Sequence, residues 1–177
     1  EQNRNAGILN ISNSVNTAFY IESQVTIDAG VYCDNSPVMT VDPIDEGCTG
    51  VTWYHNPGAY DPDGDSLSFS LYVPKQGAVY NNDGSFLSAS DVGGYQLPNN
   101  CNFYNAVGIN CSAANQAQNG PPTFFIDPVK GTITWDAPGE AGEYNVAFVV
   151  TEWRKLYGVY YPIGFVERDM QIIIKDC

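Results

Sequence analysis

The sequence predicts an all-β protein built as a β-sandwich, and three observations carry that expectation. Turn and strand residues dominate, with Gly (17), Pro (11) and Tyr (12) abundant among 177 residues, while the good helix formers Lys, Arg, Glu, Met and Leu are scarce. Several segments alternate apolar and polar residues with period two, the mark of a strand with one buried face. These segments are short and separated by Gly/Pro turns, the spacing of a sandwich. The length is that of one domain, long enough to bury a core without a metal or disulfides supplying all the order.

Taken in order, residues 1–30 read as an Asn-rich lead-in with strands at Gly7–Ile11 and Phe19–Asp28. This lead-in resembles the tail of a preceding module, a strand free to pair with its own sheet or with an adjacent copy. The sandwich itself is expected over 31–177. A turn near Asp34-Asn35-Ser36-Pro37 precedes short strands at Val38–Val41 and Val51–Tyr54. Ser66–Val73 is clearer, because Leu67, Phe69 and Leu71 alternate with serines. Residues 74–122, with Asn81-Asn82-Asp83-Gly84, Gly93-Gly94 and Pro121-Pro122, read as a long insertion outside the core, carrying one hairpin at most. Strands resume at Phe124–Asp127, Thr132–Asp136, Glu143–Glu152 and Phe165–Lys175. In Glu143–Glu152 the residues Tyr144, Val146, Phe148 and Val150 share one face. Leu156–Pro162 reads as a hairpin tip.

Seven Lys and Arg against 20 Asp and Glu give a formal charge of −13. That excludes nucleic acid as a partner, since phosphate binding needs Lys and Arg, and disfavours anionic lipid. No apolar run reaches the length of about 18 residues that spans a bilayer, so no direct membrane insertion is expected. The five cysteines, Cys33, Cys48, Cys101, Cys111 and Cys177, contain no CxxC spacing and stand beside a single histidine, which argues against zinc. An acidic, Lys-poor chain with such cysteines fits an exported protein with disulfides, placed outside the cell or on its surface. Spacing does not fix connectivity. Cys101–Cys111 would close a short loop, Cys33–Cys48 is a second plausible pair, and Cys177 is then left for an intermolecular bond.

Asp61-Pro62-Asp63-Gly64-Asp65 places three carboxylates within five residues. Alternate residues of a turning loop aim oxygens at one centre, as a hard cation such as Ca²⁺ requires. No Glu follows at the EF-hand position, so any further ligands come from elsewhere in the fold. The plainer reading is an Asp/Gly turn that is merely solvated.

Three stretches together resemble a known family. They are Asn56-Pro57-Gly58-Ala59-Tyr60-Asp61-Pro62-Asp63-Gly64-Asp65-Ser66-Leu67, Phe125-Ile126-Asp127-Pro128-Val129-Lys130-Gly131-Thr132-Ile133-Thr134-Trp135 and Gly142-Glu143-Tyr144-Asn145-Val146-Ala147-Phe148-Val149-Val150-Thr151-Glu152. Their order is similar to that of the cadherin-like, dystroglycan-type immunoglobulin-fold domains of bacterial surface proteins. Asn3-Arg4-Asn5-Ala6-Gly7-Ile8-Leu9, His55-Asn56-Pro57 and Glu152-Trp153-Arg154 further resemble repeats in large secreted Bacteroidota proteins, those of the gliding-motility-associated, type IX secretion-linked kind. The resemblance implies an Ig-like/cadherin-like Greek-key β-sandwich interrupted by the disulfide-containing insertion. It implies a structural or adhesive module, a unit of an extracellular filament or stalk, whose partners are copies of itself or neighbouring modules. It also implies structural Ca²⁺ held by Asp61, Asp63 and Asp65, with Glu152 and Asp127 at further family positions.

An enzyme is not expected. His55 has no nucleophile motif beside it and reads as a structural or turn-capping residue. The alternative function is a carbohydrate-binding module for surface glycans, stacking sugars on exposed tyrosines of the turns and the insertion, a set that includes Tyr54, with Tyr80, Tyr95 and Tyr104 as candidates. Arg154 and Arg168, two of the few basic residues, are expected to neutralise nearby carboxylates. Trp135, Tyr144 and Phe148 are expected in the core.

Overall fold

A computed structural model describes residues 3–27 and 33–177. The chain is all-β. Its strands are β1 (Ser23–Val25), β2 (Val38–Met39), β3 (Ile44–Cys48), β4 (Trp53–His55), β5 (Ala59–Tyr60), β6 (Ser66–Tyr72), β7 (Lys75–Tyr80), β8 (Phe86–Asp91), β9 (Phe124–Ile126), β10 (Ile133–Trp135), β11 (Gly142–Leu156) and β12 (Val159–Lys175), with one short helix, α1 (Asn102–Asn105). The main sheet runs β1-β12-β11-β6, and β3 joins the β1 side of β12 as a parallel partner. A smaller sheet, β4-β10-β9, faces it. β2 pairs with β5, and β7 with β8.

The alternation in β11 builds the core. Tyr144, Val146, Phe148 and Val150 are fully buried, as are Ile172 of β12 and Ile133 and Trp135 of β10. Trp135 and Tyr144 meet edge to face with ring centroids 4.8 Å apart, a favoured aromatic geometry. Phe69 of β6 reaches the same cluster. A Cβ on Gly131 would lie 2.6 Å from its ring, and φ at Gly131 is +71°, so this turn requires glycine twice over.

The insertion differs from its expectation. It contains the β7–β8 hairpin, turned by Asn81-Asn82-Asp83-Gly84, but residues beyond the hairpin plug the core. Phe103, Tyr104, Cys111 and Ala114 are buried there. The Trp135 indole N–H donates to the Tyr104 hydroxyl at 2.9 Å. The Cys101–Cys111 disulfide, with Cα atoms 5.3 Å apart, folds this segment back so that its aromatics point inward.

The second disulfide corrects the sequence reading. Cys48 pairs with Cys177, Cα atoms 5.6 Å apart, and not with Cys33, which is exposed and free. The cause is topological. β3 lies parallel to the end of β12 with Cys48 opposite Lys175, so Cys177 comes within reach across 129 residues of sequence and is not left over for another chain. A short parallel strand with an exposed face has no alternation to announce it.

The described part of the N-terminal segment, 3–27, packs on its own chain; Asp28 and the rest of the lead-in to residue 30 lie outside the described residues. β6 covers β11 only from Ala147 to Trp153. Residues 8–10 take up the same strand where β6 leaves off. Ile8 bridges Glu143, and Asn10 exchanges bonds with the Asn145 backbone at 2.7 and 2.8 Å. The expected strand at Gly7–Ile11 is therefore a bridge, and Phe19–Asp28 shortens to β1. Arg4 forms an ion pair with Asp169 at 2.6 Å, both side chains 2% exposed. Its guanidinium also reaches Asn145 Oδ1 and the Lys75 carbonyl.

Glu167 closes the other end of this segment. Its carboxylate accepts the Glu22 N–H at 3.2 Å. Burial, aided by Asp169 and Glu22 and opposed by the Glu22 N–H and Lys75, pushes its pKa up to about 7. Between the ordinary value of 4.5 and about 7 the folded state keeps a proton that the unfolded chain releases. Stability from this group is therefore fully present below that window and falls as pH rises through it. Glu167→Gln should gain about 2 kcal/mol over the wild type at pH 8 and nothing at pH 4, after allowance for solvent screening. Urea melts of both proteins at the two pH values check this; equal curves at pH 8 would refute it.

Candidate functional site

The acidic loop and the end of β11 come together at one end of the sandwich. Glu152 continues the inward row of Tyr144, Val146, Phe148 and Val150, so its carboxylate is carried in above the core and is 1% exposed. Its cross-strand partners are Leu67, at the start of β6, and Gly164 of β12. A Cβ on Gly164 would lie 2.7 Å from the Gln24 carbonyl and 3.5 Å from Glu152 Oε2, so only glycine leaves room at this crossing. A register shift falls between Glu152 and Trp153.

Asp61 organises the loop that leads into β6. Its Oδ1 accepts the N–H groups of Asp63 and Asp65, each at 2.9 Å, while Gly64 turns at φ +84°. Asp65 is held by Arg154, whose Nε lies 2.9 Å from Oδ2. The same guanidinium reaches Asp34 Oδ1 at 2.8 Å. Ligand atoms of Asp34, Asp65 and Glu152 lie within 4.8 Å of one another. Three carboxylate oxygens from three separate stretches, Asp34 Oδ2, Asp61 Oδ2 and Glu152 Oε1, are buried with no hydrogen-bond partner among the described residues. Burial, then a hydrogen bond to Asp34 available to the protonated form, the charges of Asp34 and Asp61 and a like bond to Asp61, push the Glu152 pKa up to about 8, so without a cation Glu152 keeps its proton and shares it with these two acids. Buried carboxylates without donors are costly unless protonated or matched by a cation. Arg154 pairs with Asp34 and Asp65 and lies 4.0 Å from Asp63, so the acids gathered here outnumber this one cation, an excess of negative charge that a divalent ion would balance. All-carboxylate donors suit a hard cation.

The other expected residues lie differently. Asp63 faces Asn35, accepting its backbone N–H at 2.7 Å and its side-chain amide at 3.1 Å, and those hydrogen bonds lower its pKa, with a smaller contribution from Arg154 4.0 Å away. Asp127 accepts the N–H groups of Val129 and Lys130, both at 2.9 Å, and so caps its own turn. It is not part of the cluster. Asp34 is the residue that sequence reasoning missed. It lies 27 positions before Asp61 in an ordinary-looking turn, and nothing local marks it. Arg154 neutralises acids as expected, and Arg168 donates to the Val41 carbonyl at 2.6 Å with the charge of Asp42 nearby. His55 is buried, with Nδ1 2.8 Å from Asp45, and its ring stacks on Trp53.

The three tyrosines offered for sugar binding do not form one surface. Tyr104 is fully buried in the core, because the disulfide loop turns it inward. Tyr95 packs against Ile8, Ile11 and Val92. Of the three, Tyr80 alone is well exposed.

Among known proteins, no family model, no curated protein and no solved structure matches this chain.

Proposed function

We propose that this domain is a Ca²⁺-stabilised structural or adhesive module of a secreted or cell-surface protein. The observation that carries the reading is the trio of buried, partnerless carboxylate oxygens of Asp34, Asp61 and Glu152. Asp65 completes the set, shared with Arg154. Asp34 takes the weight that the sequence placed on Asp63 and Asp127. A bound ion would supply positive charge that Arg154 alone does not. These residues would then fasten together the stretch before β2, the loop before β6 and the end of β11.

Two intrachain disulfides support an oxidising, exported setting. The β11–β12 ribbon runs on past β6, and Tyr157, Tyr160 and Tyr161 are exposed at and beside its tip. Tyrosine-rich tips of this kind suit contact with neighbouring modules or further copies of the chain. No helix among the described residues is long and apolar enough to cross a membrane. The resemblance of its sequence motifs to the cadherin-like surface domains of Bacteroidota supports the same reading by analogy.

Thermal melts in Ca²⁺, in Mg²⁺ and in chelator test it. An ion that binds only the folded state contributes about 2.7 kcal/mol at 100 times its Kd. That corresponds to a Ca²⁺-selective rise of roughly 5–10 °C for a chain of this size. Superimposable melts in all three conditions would end the proposal.

A further inference from the structure

The outer face of the small sheet carries two exposed rings in register. Tyr54 of β4 and Phe125 of β9 both lie opposite Thr134 of the central strand β10. Their neighbours Trp53, Ile133, Trp135 and Phe124 point into the core, so Tyr54, Thr134 and Phe125 share the opposite face. Tyr54 is 64% exposed and Phe125 49%. Two strand spacings separate them by about 9.5 Å, and the small Thr134 leaves a saddle between them. That separation is close to the repeat of an extended β-linked disaccharide.

Tyr54 also walls a shallow cleft of about 550 Å³ shared with Thr52, Gln116 and Asp136. The insertion supplies Gln116 from a loop held by Asn115, whose carboxamide oxygen accepts the N–H groups of Asn119 and Gly120. The polar groups are fixed against one another. Thr52 N–H donates to Gln116 Oε1 at 2.7 Å, Thr52 Oγ1 donates to Asp136 Oδ1 at 3.0 Å, and the Gln116 N–H donates to the same oxygen at 3.0 Å. Within the described residues Asp136 Oδ2 and Gln116 Nε2 have no partner in this network. One is a free acceptor and the other a free donor, the pair that a sugar's hydroxyl groups satisfy. The one formal charge among the residues lining the cleft is Asp136, on a chain of net charge −13, so the surface repels uronic acids and sulfated sugars.

We propose that this face binds a neutral, β-linked polysaccharide, its rings stacked on Tyr54 and Phe125 and its hydroxyl groups held by Gln116 and Asp136. This site is separate from the acidic cluster and from Tyr80, Tyr95 and Tyr104. The test is retention of the whole chain on insoluble cellulose, chitin and xylan, then titration with the soluble hexasaccharide of the polymer that retains it. Tyr54→Ala and Phe125→Ala should each weaken binding about tenfold with unchanged melting temperature, since both side chains are exposed. Tyr157→Ala, fully exposed at the β11–β12 tip, should bind as the wild type does. Retention on none of the three polymers would overturn the proposal, as would binding indifferent to Tyr54 and Phe125. A shift in sedimentation caused by Tyr54→Ala would overturn it in favour of a contact between copies.

Discussion

Arg4→Ala is expected to destabilise the protein by about 3–5 kcal/mol, the cost of leaving a buried charge without its partner. Arg4 does more than pair with Asp169. Its guanidinium fans out to Asn145 and to the Lys75 carbonyl, so one side chain ties the N-terminal segment, β11, β12 and the start of β7 together. Asp169 is bound in turn by Asn145. Burial raises its pKa, while Arg4 and Asn145 hold it down. Without Arg4 the Asp169 pKa rises further, so Asp169→Asn in the Arg4→Ala background should recover part of the loss. Arg4→Lys should recover little, because an ammonium lacks the planar fork that reaches three acceptors. Urea unfolding at pH 7 measures each variant. A loss below 1 kcal/mol for Arg4→Ala would show the ion pair to be incidental.

The second large effect is expected from the Cys48–Cys177 bond. It closes a loop of 129 residues, and the chain-entropy account of so long a loop gives up to about 5 kcal/mol, with 2–5 typical of native bonds. Cys48→Ser with Cys177→Ser should lower the melting temperature by about 10 °C. The same change should free the parallel strand β3, which has β12 as its ladder partner, to exchange its amide hydrogens faster than β6. Peptide mapping of the non-reduced protein should return Cys48 linked to Cys177 and Cys101 linked to Cys111. A Cys33–Cys48 peptide would contradict the fold at β3.

The core was legible because period two survives wherever a strand has one buried face. Ser66–Tyr72 and the long β11 announced themselves, and the inward row of β11 ends at Glu152. Asp61 and Asp65 were legible as neighbouring acids of one turning loop. Asp34 was not, because its approach depends on where the chain enters the sandwich. β3 was also hidden, since a parallel edge strand reading Ile-Asp-Glu-Gly-Cys has no apolar stripe. The insertion misled for the opposite reason. Its Asn, Gly and Pro turns mark loops correctly, but a loop closed by Cys101–Cys111 can still deliver Phe103 and Tyr104 to the core. Composition alone does not distinguish a loop that covers from one that plugs. Asp127 shows a similar limit, because a carboxylate two and three residues before free N–H groups serves its own turn first.

Asp34, Asp61, Asp65 and Glu152 are proposed to act together on a cation. Isothermal titration of Ca²⁺ into chelator-stripped protein tests this proposal most directly, using the wild type, Glu152→Gln and Asp127→Asn. One Ca²⁺ per chain is expected in the wild type and in Asp127→Asn, and that binding should be lost in Glu152→Gln. Absence of binding in the wild type, or binding that survives in Glu152→Gln and disappears in Asp127→Asn, would contradict it.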